Sequence, residues 1–284
     1  MPRFAMPIGS APKGSREATK AVTMAAIRRR SASWLPPLVV FVAVLLLWEQ
    51  LFLVLDVKTF LIPRPSIIWA ALGEQWTTLQ RGLLYTGTEA LLGLLAGVTL
   101  GTLAGLATAR WATIRDTLVP LGTGMSTIPI IAFAPIMINW FGFESQLPRI
   151  TVVALMTFFP VMVNTIRGLT QVDPGAIELM DSYAASPFQV LRKVRIPNAL
   201  PYWFTALRIA VTLSVIGAVV GEFFGGPLYS LGIYVTNQTG SFKYPNAWAA
   251  IVMACALGIG LYLVAVAAER IALPWRRSEG GSGE

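Results

Sequence analysis

The sequence predicts an all-α membrane protein with about six transmembrane helices. Of its 284 residues, 55% are hydrophobic and only 13% are charged, which is about half the charged share of a soluble domain. The hydrophobic residues fall in blocks of about twenty or more, enough for a helix to cross roughly 30 Å of hydrocarbon. These observations favour one membrane domain over a water-soluble core.

The apolar blocks define the domain boundaries. The blocks are residues 34–55, 83–108, 118–140, 150–169, 202–224 and 247–268. We expect a membrane domain over 34–275 and a flexible tail over 276–284. Residues 1–33 are polar, and we expect a disordered basic tail there, because the block that follows is too long for a signal-peptide core and no small-residue cleavage site closes it.

The basic residues predict the orientation. Sixteen Lys and Arg residues fall on one side of the predicted membrane and five on the other, with Arg208 inside the fifth block. The five are counted as loop residues: Lys58, Arg64, Arg81, Arg149 and Lys243. Cytoplasmic loops carry the excess of Lys and Arg, so both termini are expected in the cytoplasm. The net charge of +8 is attributed to this asymmetry, and no nucleic-acid partner is expected.

The residue inventory argues against an enzyme. There is no histidine, and the single cysteine, Cys255, lies within an apolar run. The sequence contains no HExxH, no GxSxG and no GxxxxGK[ST] motif, so we expect neither a bound cofactor nor ATP hydrolysis by this chain. A channel or secondary transporter acting alone is the other alternative, but neither inverted repeats nor a selectivity filter is visible.

Two loops between the blocks are long enough to carry structure. In the first, residues 57–82, the segment PSIIWAALGE predicts a short amphipathic helix that begins at Pro65 and is capped by Ser66. The second, residues 170–201, contains two helix N-termini, at Asp173-Pro174 and at Ser186-Pro187.

The second loop therefore predicts a helix, a turn and a second helix. Its second helix would carry an exposed apolar stripe of Phe188, Leu191 and Val194. Such a stripe at a membrane surface contacts either lipid or another protein.

Several residues inside the blocks are candidates for a solute path, because polar groups are costly in lipid. The polar candidates are Glu89, Asn139, Asn164, Arg208 and Glu222, and the aromatic ones are Phe133, Trp140, Phe158 and Phe159. Interfacial solvation would also explain Asn139 and Glu222, and Arg208 could extend its charged end to the cytoplasmic surface. Pro129 and Pro135 predict a kinked or partly opened helix in the third block, which in transporters often lines the path.

Four glycines recur every fourth residue in the second block, at Gly93, Gly97, Gly101 and Gly105. They share one helix face, and small residues at this spacing let two helices approach closely. We therefore interpret them as a helix-packing surface in preference to part of a solute path.

The second loop resembles a loop of known permeases. The spacing of Glu178, Ala184, Val194, Ile196 and Pro197 is similar to the pattern E-A-A, three residues, G, nine residues, I, one residue, L-P. That pattern is found in permeases of binding-protein-dependent ABC importers. The sequence departs from it at Leu179-Met180, in place of two alanines, and at Ala184, in place of glycine.

Other segments point to one branch of that family. FLIPRPSIIWAAL and STIPIIAFAPIMINWFGF resemble the nitrate, sulfonate and taurine branch. ELMDSYAAS and SVIGAVVGEFFGG resemble a sub-branch associated with riboflavin and thiamine-precursor pyrimidine uptake. The resemblance implies the type I ABC importer permease fold in a bacterial inner membrane. It implies a small planar nitrogen heterocycle as cargo, with nitrate, taurine or alkyl sulfonate as the alternative.

The resemblance also implies partners. These are a dimer of ABC ATPase subunits that binds ATP and Mg²⁺, a second permease copy, and a periplasmic or lipid-anchored binding protein. The residues that would contact the ATPase are Glu178, Asp181, Tyr183, Ala184, Ala185, Ser186 and Phe188. Alanine at position 184 weakens the expected turn, because alanine rarely adopts positive φ, and it leaves open whether the helix continues through it.

Overall fold

The computed structural model describes residues 35–55, 62–111, 117, 120–122, 124–125 and 128–274. Its helices are α1 (Leu35–Val54), α2 (Pro65–Glu74), α3 (Trp76–Arg110), α4 (Ala134–Phe141), α5 (Leu147–Thr170), α6 (Pro174–Ser182), α7 (Pro187–Val190), α8 (Ile196–Glu222), α9 (Leu231–Gly240) and α10 (Tyr244–Ala272). A 3₁₀ turn, Ile130–Phe133, precedes α4, and a π-helical turn, Leu191–Arg195, joins α7 to α8. Within the described ranges all regular structure is helical, as the sequence predicts.

Five described segments are long and apolar enough to cross a membrane. They are Pro36–Val54, Trp76–Ala109, Leu147–Thr170, Pro187–Glu222 and Tyr244–Ala272. They correspond to five of the six predicted blocks, whereas the third block lies partly outside the described residues. The predicted tails, 1–33 and 276–284, lie wholly outside them.

The described part of the third block is interrupted, as its prolines predict. Pro129 precedes the 3₁₀ turn, and Pro135 lies in the first turn of α4. Proline has no N–H to donate, so it is tolerated at a helix start and disfavoured inside one. The result is one short apolar helical piece, Ile130–Phe141, that begins after the non-helical Pro129.

Helix α1, together with Arg64–Ser66, forms one compact unit. The carboxylate of Glu49 accepts hydrogen bonds from Ser66 N at 3.0 Å and from Ser66 Oγ at 2.8 Å. The prediction that the Ser66 side chain caps α2 is therefore wrong. Ser66 lies within the first turn, whose N–H groups lack partners in their own helix, and Glu49 supplies the acceptor.

The second compact unit contains the remaining long helices. Helix α5 packs against α3 on one side and α8 on another, and α10 packs against α8. At Gly93 an added Cβ would lie 2.5 Å from Val153 Cβ, and at Gly105 it would lie 2.6 Å from Thr165 Cγ2. The interpretation of the glycines as a packing surface is confirmed, because their backbone touches α5 with no room for a side chain.

The order of these contacts fixes the directions of the helices. Helices α3 and α5 run in the same direction, since the earlier glycine meets the earlier part of α5. Helix α8 runs against them, because Gly168 near the end of α5 meets Ala199 near the start of α8. The unit therefore has a loop end, formed by residues 171–195, and an opposite end, where α5 begins and α8 ends.

Candidate functional site

The loop end carries the predicted helix–turn–helix, and its caps are local. The Asp173 side chain accepts a hydrogen bond from Gly175 N at 3.2 Å, with Pro174 in the first turn of α6. Ser186 and Gln189 form a capping box at the start of α7, where Ser186 N donates to Gln189 Oε1 at 2.7 Å and Gln189 N donates to Ser186 Oγ at 3.4 Å. Both predicted N-termini are thus confirmed by side chains that satisfy free backbone N–H groups.

The turn between α6 and α7 is made at Ala184, whose φ is +49°. Ala185 N donates to Met180 O at 3.0 Å, which closes the end of α6. Helices often end with one residue in this left-handed conformation, usually glycine. The sequence left open whether α6 continues through Ala184, and the structure shows that the turn is kept despite the alanine.

The helix–turn–helix is exposed where the resemblance assigns ATPase contact. Tyr183 is 75% exposed and Phe188 is 67% exposed. Of the remaining predicted contact residues, Ala185 is half-buried. The others are exposed, namely Glu178, Asp181, Ala184 and Ser186. Two large aromatic side chains therefore lie on one short surface segment.

The predicted apolar stripe on the second helix is only partly exposed. Phe188 fits the prediction, but Leu191 and Val194 are half-buried. The π-helical turn that contains them packs against α5 and α8. The prediction for these two residues was wrong because a regular amphipathic helix was assumed there.

Asn198 links the start of α8 to the end of α5, and no pattern in the sequence indicates this role. Its Nδ2 donates to Gly168 O at 2.7 Å and to Gln171 O at 2.9 Å. One amide thus ties the start of α8 to the end of α5. Sequence spacing could not identify these partners, because they lie 30 and 27 residues away.

An apolar cavity of about 410 Å³ lies where several predicted path residues meet. The residues that line it are Met125, Ile128, Ile130, Phe133, Ile136, Met137, Trp140, Leu155 and Phe159. Trp140 is 71% exposed, and Phe159 is half-buried. Apolar walls with aromatic rings suit an uncharged planar solute, since rings stack on planar groups.

Most of the polar residues predicted for a solute path make contacts within the helix bundle instead. Asn139 is exposed on α4 beside Trp140. Asn164 Nδ2 donates to Pro160 O in its own helix at 2.8 Å. Arg208 Nη1 pairs with Glu269 Oε2 on α10 at 3.4 Å, with the arginine side chain about one-third exposed. The structure therefore brings Asn139 near the cavity and holds the other two in contacts within the bundle.

Glu222 lies at the opposite end, fully buried. Its Oε1 accepts from Thr86 Oγ1 at 2.7 Å and its Oε2 accepts from Gly232 N at 2.6 Å. Thr86 Oγ1 in turn accepts from Leu231 N at 3.1 Å. Glu222 thus connects α8 to α3 and to the first turn of α9.

Next to it is an ion pair that the sequence did not reveal. Arg149 Nε donates to Glu89 Oε1 at 2.8 Å, and both side chains are almost completely buried. Counting Arg149 as a loop cation was wrong, because it lies in the first turn of α5 and faces α3. Buried charges of this kind are retained when they are paired, and here the partner is 60 residues distant.

Comparison with known proteins identifies the family. Residues 97–277 match the family described as binding-protein-dependent transport system inner membrane component. The chain is 33% identical over 257 residues to the formylaminopyrimidine transport permease protein of Halalkalibacterium halodurans, covering 88% of this chain and 100% of the relative. It is 31% identical over 247 residues to the riboflavin transport system permease protein of Chloroflexus aurantiacus, covering 84% of this chain and 90% of the relative.

Two further likenesses extend the comparison. The chain is 28% identical over 281 residues to an aliphatic sulfonates transport permease protein of Bacillus subtilis, covering 96% of this chain and 98% of the relative. The inward-facing methionine ABC transporter matches with a TM-score of 0.57 at 19% identity, covering 70% of this chain and 97% of that chain, which shows a shared fold. This chain therefore belongs to the family of inner membrane components of binding-protein-dependent transport systems, the permease subunits of ABC importers.

Proposed function

We propose that this chain forms the path for a small solute, while a separate ATPase docked on residues 178–188 supplies the energy. The observation that carries the proposal is the exposed pair Tyr183 and Phe188 on a segment braced by its own caps. Aromatic side chains presented on a rigid segment are typical anchors of protein interfaces. ATP and Mg²⁺ belong to that partner, and no cofactor is assigned to this chain.

The proposed orientation places the loop end in the cytoplasm, with both termini on the same side. The asymmetry of Lys and Arg supports it. The opposite end then faces a binding protein, which the family description supports, and the resemblance implies that this protein is periplasmic or lipid-anchored. A second copy of the chain would complete the path, as the resemblance implies for permeases of this type.

The proposed cargo is a small planar nitrogen heterocycle such as riboflavin or a pyrimidine. The relatives named for formylaminopyrimidine and riboflavin support this. The cavity agrees, because Phe133, Trp140 and Phe159 offer ring faces and the lining residues that the structure describes include no charged side chain. A solute with a permanent negative charge would favour a nearby cation or helix N-terminus, whereas Arg208 is paired with Glu269.

A sulfonate is the second candidate, and the observation that favours it is the likeness to the aliphatic sulfonates permease over almost the whole chain. Reconstitution of the permease with its cognate ATPase and binding protein in proteoliposomes separates the two. Labelled riboflavin or formylaminopyrimidine should accumulate when ATP is present, and taurine and alkyl sulfonates should not. Accumulation of a sulfonate without any heterocycle would overturn the proposed cargo and leave the importer assignment intact.

The cavity can be tested with a matched pair of neighbours. Phe159 lines it, whereas Phe158 packs edge-on against Phe159 with ring centroids 4.9 Å apart and is not among the lining residues. Phe159→Leu should slow heterocycle uptake more than Phe158→Leu does, since only the first substitution removes a stacking face from the cavity. Equal effects of the two substitutions would contradict a role for this cavity in the path.

A further inference from the structure

The opposite end contains a second cavity, of about 590 Å³. Its walls come from two chain segments that we call the rim: residues 142–146, between α4 and α5, and residues 223–229, between α8 and α9. Ile233, Thr236 and Asn237 of α9 complete the lining. The two rim segments are about eighty residues apart in sequence, so something other than chain connectivity must set the distance between them.

Arg149 makes that connection. Its Nη1 donates to Gly225 O at 3.2 Å in one rim segment and to Phe143 O at 3.4 Å in the other. The Arg149 side chain is 1% exposed, and its bond to Gly225 O is buried. Nη1 therefore bridges both walls of the cavity and leaves Nε and Nη2 to bond other acceptors, a division of donors that the single ammonium nitrogen of lysine cannot reproduce.

The guanidinium is itself held from the side of α3. Glu89 Oε1 accepts from Arg149 Nε at 2.8 Å, and Tyr85 OH accepts from Nη2 at 3.0 Å. The ring of Tyr85 also packs edge-on against Tyr229 of the rim, with centroids 5.2 Å apart. Arg149 therefore donates hydrogen bonds to α3 and to the rim at the same time. The positions of the two rim loops depend in this way on the position of α3.

We propose that Arg149 is a positioning residue that sets the width of the rim where the solute enters the permease. The proposal rests on the proposed function, in which this end of the unit faces the binding protein. Glu89 fixes the orientation of the guanidinium. The two rim carbonyl groups accept hydrogen bonds from that guanidinium, so the distance between them depends on its orientation. The two rim segments are thereby kept at a fixed distance by an arginine side chain that is buried in the bundle.

A distance measurement tests this without any transport assay. Replacing the single cysteine by Cys255→Ser allows spin labels at Glu144→Cys and Leu228→Cys, two exposed positions on opposite rim segments. In this background Arg149→Lys should widen the distribution of label distances, because the lysine keeps the charge but its one nitrogen cannot bond to α3 and to both rim carbonyl groups at once. The matched control is Arg81→Lys, the same change at an exposed arginine of α3. A distribution as narrow as that of the control overturns the proposal.

The transport assay then tests what the rim does. For Arg149→Lys we expect the KM for loaded binding protein to rise about tenfold with the maximal rate within about twofold, since remote positioning acts on the encounter and not on the later steps. A merely structural role would lower the amount of folded permease and leave KM unchanged. A widened rim with an unchanged KM overturns the proposal, whereas a wild-type protein that transports nothing refutes the proposed function instead.

A second variant covers the case in which Arg149→Lys does not fold. Glu89→Gln combined with Arg149→Met removes both members of the ion pair, so no unpaired charge of that pair stays buried. The rim bridge is lost in this variant as well. A label distribution as narrow as that of the wild type would overturn the proposal in the same way.

Discussion

The two ends of the second unit use polar side chains in different ways. At the loop end, Asp173 and Ser186 bind backbone groups two and three residues away, and these contacts are exposed. At the opposite end, the hydrogen bonds of Arg149 and Thr86 reach 60 and 145 residues along the chain and are buried.

The difference shows what each end can tolerate. Local caps stabilise the starts of α6 and α7 without help from the bundle, which holds this segment only at its base through Asn198 and the π-helical turn. The aromatic side chains at the turn can therefore be presented to a partner with little effect on the rest of the fold. The buried network makes the opposite end depend on several helices at once. Substitutions should therefore act mainly on binding at the loop end and mainly on folding or internal geometry at the opposite end.

The largest effect is expected at Glu89. Glu89→Ala leaves the Arg149 guanidinium buried without its carboxylate and should reduce the free energy of unfolding by about 3–5 kcal/mol. Thermal unfolding in detergent measures this loss. Glu178→Ala, at an exposed position of α6, is the control and should change stability by less than about 0.5 kcal/mol. Similar losses for both would remove the contrast between the two ends.

Phe188→Ala should have the next largest effect, on binding and not on stability. Truncation of an aromatic interface anchor costs about 2 kcal/mol or more, which corresponds to roughly a thirtyfold weaker complex with the ATPase. Affinity of the purified permease for its ATPase provides the measurement. Phe242→Ala removes a comparably exposed aromatic side chain (74%, against 67% for Phe188) and should leave the affinity unchanged. If both variants bind normally, residues 178–188 are not the docking segment.

A smaller effect is expected from Ser186→Ala. Loss of the N-cap should weaken the start of α7 by about 1 kcal/mol. Hydrogen exchange of the Gln189 amide should then become about fivefold faster, while the melting temperature stays the same because the cap is local. Ser182→Ala provides the comparison, since that hydroxyl donates to Leu179 O within α6. Faster exchange throughout the bundle would show that the loop end is less independent than its contacts indicate.

The smallest effect is expected at Ala184, where the substitution should stabilise the local structure instead of weakening it. Left-handed backbone costs an ordinary residue about 1–2 kcal/mol, so Ala184→Gly should slow exchange of the amides around the turn. The flexibility of glycine in the unfolded chain offsets part of this gain. Ala185→Gly, at a neighbour outside the positive-φ region, should accelerate exchange instead. The same direction of change in both variants would exclude strain at Ala184 as the cause.

The sequence predicts those features of this protein that depend on neighbouring residues. The long helices follow from apolar blocks, the helix–turn–helix follows from Asp173 and Ser186, and the interruption of the third block follows from its prolines. The Glu89–Arg149 pair was not predicted, because each residue was considered alone and their separation of 60 residues carries no periodic signal. Likewise, the pairing of Arg208 with Glu269 depends on how α8 and α10 cross.

The glycine face of α3 has a consequence for any change of shape that the permease makes during transport. An added Cβ at Gly97 would collide with the Thr157 side chain, and one at Gly101 would lie 2.6 Å from Phe158 O. Each of these glycines contacts a different residue of α5. If one helix slid along the other, side chains of α5 would collide with the backbone of α3. Close-packed surfaces of this kind resist gradual displacement. Helices α3 and α5 should therefore travel together as one rigid body, and the relative motion of transport must occur at their contacts with other elements.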